Sequence, residues 1–360
     1  MKVLHLIDSL TFGGAASLVK DIFEFQPGNT NIYLYPLRLK GNVVDIVHPN
    51  VIPTTSKFKY SLFPFFDLYK IIRQNNIDIL HCHLFRSQMC GYILKVFCFQ
   101  HLKLIFHRHG APNEYWFAYV LFLLCSISQV DYFIAISKMA QGFLFERAHV
   151  PKRKIQLLYN FVNLSKFDVS SVNVSQARTK LALKKTDFVV GFAARIVEAK
   201  GWKEFIGSAV LLREDRDIKF VIAGDGIDRP QLLSQLERQQ LEKQVIYLGY
   251  QSNMTDFYAV LNCFIIPSHF ETMGLTEIEA MAMEVPVIAS NVPGLNEIIE
   301  DRKNGLLFPN KDIKALTDKI QLLRDNATLR KALIEQGRRD LQKYSLPEYL
   351  KRLDNIYAQI

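Results

Sequence analysis

Cysteine is scarce and spaced for neither a disulfide framework nor a metal ribbon. The five residues are Cys82, Cys90, Cys98, Cys125 and Cys263, an odd number without a Cys-x-x-Cys pair. That excludes a disulfide scaffold and points to a reduced, cytosolic chain. Long apolar runs are missing too. The most apolar stretch, "YWFAYVLFLLCSI" (115–127), ends after 13 residues, short of the ~20 that cross a bilayer. The opening "MKVLHLIDSL" is too short and, at Asp8, too acidic for a signal peptide, so it reads as a first buried strand. No segment is rich in Gly, Ser or Pro, and none repeats. Disordered, fibrous and solenoid classes are thereby set aside.

What remains is ordinary globular material: 360 residues, 49 % hydrophobic and 22 % charged, enough for two domains with their own cores. The net charge of +9 is uneven. Residues 1–168 hold 18 of the 44 basic and 10 of the 35 acidic residues, so about +8 sits there and about +1 in the remainder. A basic half attracts phosphates on substrates or on a membrane surface. Arg and Lys form no single stripe, which argues against nucleic acid. Two aromatic-basic segments, "KFKYSLFPFFDLYKIIR" (57–73) and "GYILKVFCFQHLKLIF" (91–106), suit a helix lying on a membrane face.

Short apolar runs alternate with longer amphipathic ones. "KVLHLI", "NIYLYPL", "IDILHCH", "KLIFHRH" and "DYFIAIS" read as strands, and the pattern restarts at "DFVVGFAAR", "KFVIAGDG", "VIYLGY", "CFIIPS" and "VPVIAS". Continuous apolar strands separated by helices predict parallel sheets covered on both faces. Two sets predict an α/β chain of two doubly wound Rossmann-like domains. Polar residues 160–180 mark the join. The expected domains are 1–168, with a C-terminal helix at about 345–360 crossing back to it, and 169–344.

The chemistry-bearing residues fall after strands. Gly13 and Gly14 follow the first one and permit a tight turn near a ligand. The stretch lacks a full G-x-G-x-x-G or Walker lysine. Arg195 and Lys200 follow the sixth strand and suit a diphosphate, Arg as a fork of donors and Lys as a point charge. Gly224 ends the seventh in "AGDG". "FETMGLTEIEAMA" carries Glu271, Glu277 and Glu279 around Met273, Gly274, Leu275 and Thr276. A helix starting near Gly274 or Leu275 turns these amides toward an anion. Glu277 is expected to be solvated or to cap the helix.

These residues resemble the retaining glycosyltransferases of family four, with the GT-B fold. The carriers are the E-x7-E pair Glu271 and Glu279, "IPS", "EAMAMEVPVIAS", Arg195 with Lys200, "AGDG", "PG" before Glu297 and "NGLLFP". In the first half they are "GGA", "DILHCHLFRSQMCG", "HRHG" and "AIS". The wording is most similar to enzymes of bacterial surface-polysaccharide synthesis, capsule or lipopolysaccharide. The resemblance implies a nucleotide-sugar substrate, UDP-linked for preference, and a lipid-linked or glycan acceptor held by the first domain. It implies that Arg195 and Lys200 hold the diphosphate with the amides of Met273 to Thr276. Glu279 would accept ribose hydroxyls and Glu271 sugar hydroxyls. His109 would be the active-site histidine, His107 competing for that register, and His83 would line the acceptor side.

No Asp-x-Asp stands where a metal-dependent transferase would hold one, so neither metal nor cofactor is expected. Several rival readings fit parts of the pattern. A glycoside hydrolase would use two carboxylates without the cation pair. A zinc site could draw on His81, Cys82, His83, His107 and His109, although alternate residues of a strand share a face and Cys82 would point away. The remaining two are a sugar-nucleotide epimerase of the same fold and a non-catalytic nucleotide-sugar-binding protein. The place expected is cytoplasmic, peripheral on the inner membrane face.

Overall fold

The computed structural model describes residues 1–10, 14–26, 28–38, 46–54, 56, 63–109 and 116–360; of residues 63, 116 and 118 it describes the backbone alone. The chain forms two compact units. One comprises Met1–Phe161 with Leu346–Ile360, the other Val162–Ser345. The first thus ends at Phe161, a little before the join set at 168, and takes up the C-terminal helix Leu346–Ala358.

The first unit is built on a six-stranded parallel sheet. Its strands are β1 (Val3–Ile7), β2 (Ile32–Pro36), β3 (Ile79–His83), β4 (Lys103–Arg108), β5 (Tyr132–Ala135) and β6 (Ile155–Leu157), in the order β2-β1-β3-β4-β5-β6. The second unit repeats the architecture with β7 (Phe188–Ala193), β8 (Ile218–Ala223), β9 (Val245–Tyr247), β10 (Cys263–Ile266), β11 (Val287–Ser290) and β12 (Leu306–Phe308). Their order is β12-β11-β10-β7-β8-β9. Each of the ten apolar runs is a strand. β6 and β12 were not foreseen; at three residues each they are too short to show a period.

Both faces of the first sheet are buried, and the strand period sorts their residues. Leu4, Leu6, Leu80, Cys82, Leu104 and Phe106 share one core. Val3, Ile7, Ile79 and Ile105 face the other, which the helix Gly14–Phe25 and the C-terminal helix cover with Leu18, Val19, Ile22, Leu350, Leu353 and Ile356. His5, His81, His83 and His107 alternate with the first group, so they point to the second face. Because all strands are parallel, every strand ends on the same edge of its sheet, where ligands of such folds bind.

Candidate functional site

In the second unit the expected residues gather where β7, β8, β10 and β11 end. The loops there are joined backbone to backbone. Ala194 N–H donates to Ala223 O at 3.2 Å, Ile196 N–H to Asp225 O at 3.0 Å and His269 N–H to Ala199 O at 2.9 Å. Glycines allow the approach. A Cβ on Gly201 would lie 1.9 Å from Pro267 O, and one on Gly224 1.9 Å from Ala194 O; their φ values are +74° and +134°. Residues with side chains could not hold these loops so close.

Lys200 follows that brace. Its Nζ pairs with Glu271 Oε2, both side chains being mostly buried. Arg195 lies exposed just past β7. Gly294, at φ +92°, packs its backbone against the carbonyl oxygens of Glu271 and Thr272, which fixes the loop from its far side. Met273 is buried, and Gly274 and Leu275 lead into the helix Thr276–Ala282. That helix starts one or two residues later than expected, so Glu279 falls within its first turn. Glu279 Oε2 accepts a hydrogen bond from Tyr258 Oη at 2.8 Å. Tyr258 is fully buried, and burial with the adjoining carboxylate pushes its phenol well above its ordinary value. It therefore stays a donor and orients Glu279.

Glu277 corrects the sequence reading. It is neither solvated nor a cap, but completely buried. Neither carboxyl oxygen has a hydrogen-bond partner on another of the described residues, and Oε2 lies so near Gly274 that a Cβ there would meet it at 2.3 Å. Burial, then the charge of Glu271, pushes its pKa up to about 8. Its helix position alternates with Ile278 and Glu279 in a run whose burial depends on packing that spacing does not reveal.

In the first unit Gly14 opens the first helix, and among the described residues nothing lies within 4 Å of where its Cβ would be. Gly13 lies outside the described residues. His83 ends β3 and His109 follows β4. They are linked, His83 Nδ1 to His109 Nε2 at 2.7 Å. Leu84, immediately after His83, has φ +70°, a strained value for a bulky residue that pins the end of this strand. His107 is the last pairing residue opposite His83 in β4 and is fully buried, whereas His109 is partly exposed at the strand edge. Of the two, His109 is the one a ligand can reach.

Residues 25–166 match the family model described as Glycosyltransferase Family 4, and residues 173–340 match that of glycosyl transferases group 1. The chain belongs to the family-four glycosyltransferases. This glycosyltransferase is 23 % identical over 334 residues to an N-acetyl-alpha-D-glucosaminyl L-malate synthase of Bacillus anthracis, covering 87 % of this chain and 85 % of that one. It is 27 % identical over 255 residues to the capsular polysaccharide biosynthesis glycosyltransferase CapM of Staphylococcus aureus, covering 68 % and 65 %. Among solved structures it is similar to Alr3699/HepE of Anabaena in complex with UDP and glucose, with a TM-score of 0.83, 18 % identity and full coverage of both chains. At that identity the likeness establishes the GT-B fold. The glycosyltransferase's two sheets are the two Rossmann-like halves of that fold. Tyr258, His5 and Tyr357 had no motif to announce them; their partners come from distant segments.

Proposed function

We propose that this glycosyltransferase transfers a sugar, with retention, from a nucleoside-diphosphate sugar to a lipid-linked or polysaccharide acceptor in surface-glycan synthesis. UDP is the first candidate nucleotide. The observation that carries the reading is the Lys200–Glu271 pair in the loops after β7 and β10, with Glu279 held by Tyr258 in the helix that follows. The relatives named above support the class: a sugar-transferring synthase, a capsule enzyme and a UDP-bound fold-mate.

The chemistry is a displacement at the anomeric carbon. The bond from that carbon to the diphosphate oxygen breaks, and the acceptor oxygen forms the new one on the same face. The acceptor's proton passes to an oxygen of the leaving diphosphate. No protein nucleophile is required by this front-face route. Charge develops on the leaving oxygen, and Lys200 and Arg195 stabilise it. The helix Thr276–Ala282 is only seven residues long, so the cations, rather than its dipole, carry this task. Protein cations then do the work that a metal would do, and activity should survive chelation. Glu279, held by Tyr258, accepts ribose hydroxyls; Glu271 accepts those of the sugar. These two donor-side carboxylates are thus a clamp.

Thermal unfolding against a panel of nucleoside diphosphates tests the donor. The true nucleotide should stabilise the protein by ~2.7 kcal/mol at a hundredfold excess over its Kd. Silence from the whole panel would sink the reading.

The first unit supports a membrane-bound acceptor, with the enzyme cytoplasmic and peripheral. Phe85, Met89, Ile93 and Phe97 stand four apart on the helix Phe85–Phe97, all exposed, Phe97 by 77 %. Phe117, Leu121 and Leu124 on the neighbouring helix Trp116–Ser126 are exposed as well, and Phe85 touches Phe122 of that helix. So large an apolar face on a basic unit suits an interfacial position. Among the described residues no helix is long and apolar enough to cross a membrane. Phe97→Glu should weaken binding to anionic vesicles about tenfold and leave nucleotide stabilisation unchanged. Equal vesicle binding by the variant would remove the membrane from the proposal.

A further inference from the structure

Five histidines and one tyrosine of the first unit form a single hydrogen-bonded chain. His109 Nε2 lies 2.7 Å from His83 Nδ1, and His83 Nε2 lies 3.0 Å from His5 Nδ1. His5 Nε2 is 3.4 Å from Tyr357 Oη, which is 2.6 Å from His81 Nδ1. His81 Nε2 is 3.0 Å from His107 Nδ1. Among the described residues the chain stops at His107 Nε2, which is buried and finds no partner among them. The rings also stack, His81 on His83 at 4.3 Å and His107 on His109 at 4.0 Å.

Every ring between the ends uses both nitrogens. A neutral imidazole has one N–H and one bare nitrogen, and a phenol has one O–H. A ring that donates to one neighbour must therefore accept from the other, and once the Tyr357 hydroxyl donates to one side the direction of all five links follows. The rings are neutral: burial lowers His5 to about 3 and His109 to about 4, and holds His81, His83 and His107 well below the usual histidine value.

Bond length gives the direction. O–H donors make shorter hydrogen bonds than N–H donors; the assignment that fits links of 2.6 Å and 3.4 Å has the Tyr357 hydroxyl donating to His81 and accepting from His5. Followed outward, His5 then accepts from His83, and His83 accepts from His109 Nε2–H. His109 is left with a bare Nδ1.

We infer that this chain locks His109 in the Nε2–H tautomer, so that its Nδ1 accepts a hydrogen bond from a substrate hydroxyl, with Tyr357 as the positioning residue at the centre. The inference rests on the reading, implied by the family resemblance, that His109 is the active-site histidine. A metal does not explain the arrangement as well. His5, His81 and His83, or His83, His107 and His109, bring nitrogens within 4.8 Å of one another. A tetrahedral zinc needs three converging nitrogens about 3.3 Å apart, whereas these pair off two by two.

The test uses the full-length enzyme labelled with 15N-histidine. Long-range nitrogen–proton spectra should show His109 protonated at Nε2 alone. In Tyr357→Phe, which removes one oxygen, His109 should become a mixture of tautomers. The kcat should fall about tenfold, with the donor KM unchanged. Should that variant fail to fold, His5→Phe cuts the same chain one link away and carries the same expectation. An Nδ1–H tautomer in the native enzyme, an unchanged His109 in a folded variant, or a stoichiometric metal bound by these rings would each overturn the inference. His109→Ala with full turnover would instead remove His109 from the active site, while its spectra in the native enzyme would still report on the chain.

Discussion

Lys200→Ala is expected to lower kcat/KM by about 10²–10³, the effect of ~2.7–4 kcal/mol lost from a donor that stabilises developing charge. Folding should change little. The partner of Lys200 is Glu271, which also keeps the neighbouring backbone contacts made through Gly294. The loop that carries residue 200 is held by its backbone, by Gly201 against Pro267 and by His269 against Ala199. Lys200→Arg separates charge from reach. It keeps the cation but replaces a point charge by a planar fork, so it should recover only part of the loss. Steady-state kinetics beside calorimetry decide the matter, and a Lys200→Ala enzyme with undiminished turnover would remove this residue from the diphosphate.

Glu277 should make the second unit less stable as pH rises. Its pKa is near 4.5 when exposed and about 8 in the fold. Between these values the native carboxyl keeps a proton that the unfolded one has lost. Its stabilising contribution is complete below 4.5 and disappears as pH climbs through 8, at about 1.4 kcal/mol per pH unit and roughly 5 kcal/mol over the whole window. The histidines oppose this at the acid end. Held neutral in the fold, they favour the unfolded chain as pH drops below their ordinary 6.5. The clean window therefore runs from 6.5 to 8. There the wild type should lose about 2 kcal/mol, equivalent to about 4–8 °C in Tm, while Glu277→Gln stays flat. Parallel curves for the two proteins would show that Glu277 ionises normally.

Much of this was legible beforehand because it depends on local pattern. Apolar runs such as "DFVVGFAAR" are buried on both faces, so they betray a parallel sheet without knowledge of its partners. Arg195, Lys200, Glu271 and Glu279 sit at fixed distances from strand ends, and strand ends converge in this topology. Residues whose role comes from a distant partner were not legible. Tyr258 matters because its hydroxyl reaches Glu279; nothing in "DFYAV" says so. His5 looks like any strand residue until β1 pairs with β3 and puts it opposite His81. Glu277 failed for the opposite reason. A carboxylate early in a helix is ordinarily exposed, and only packing reveals that this one is enclosed.

The C-terminal helix has a consequence for how the protein is made. Leu346, Tyr349, Leu350, Leu353, Ile356 and Tyr357 fill the core of a unit whose remaining residues end at Phe161. During synthesis the segment Val162–Ser345 emerges in between, and it is continuous. The second unit can thus finish folding on the ribosome while the first still lacks the helix that shares one sheet face with Gly14–Phe25. That half-built intermediate is the species a chaperone would meet, and it lasts until the helix ending at Ala358 arrives to close it.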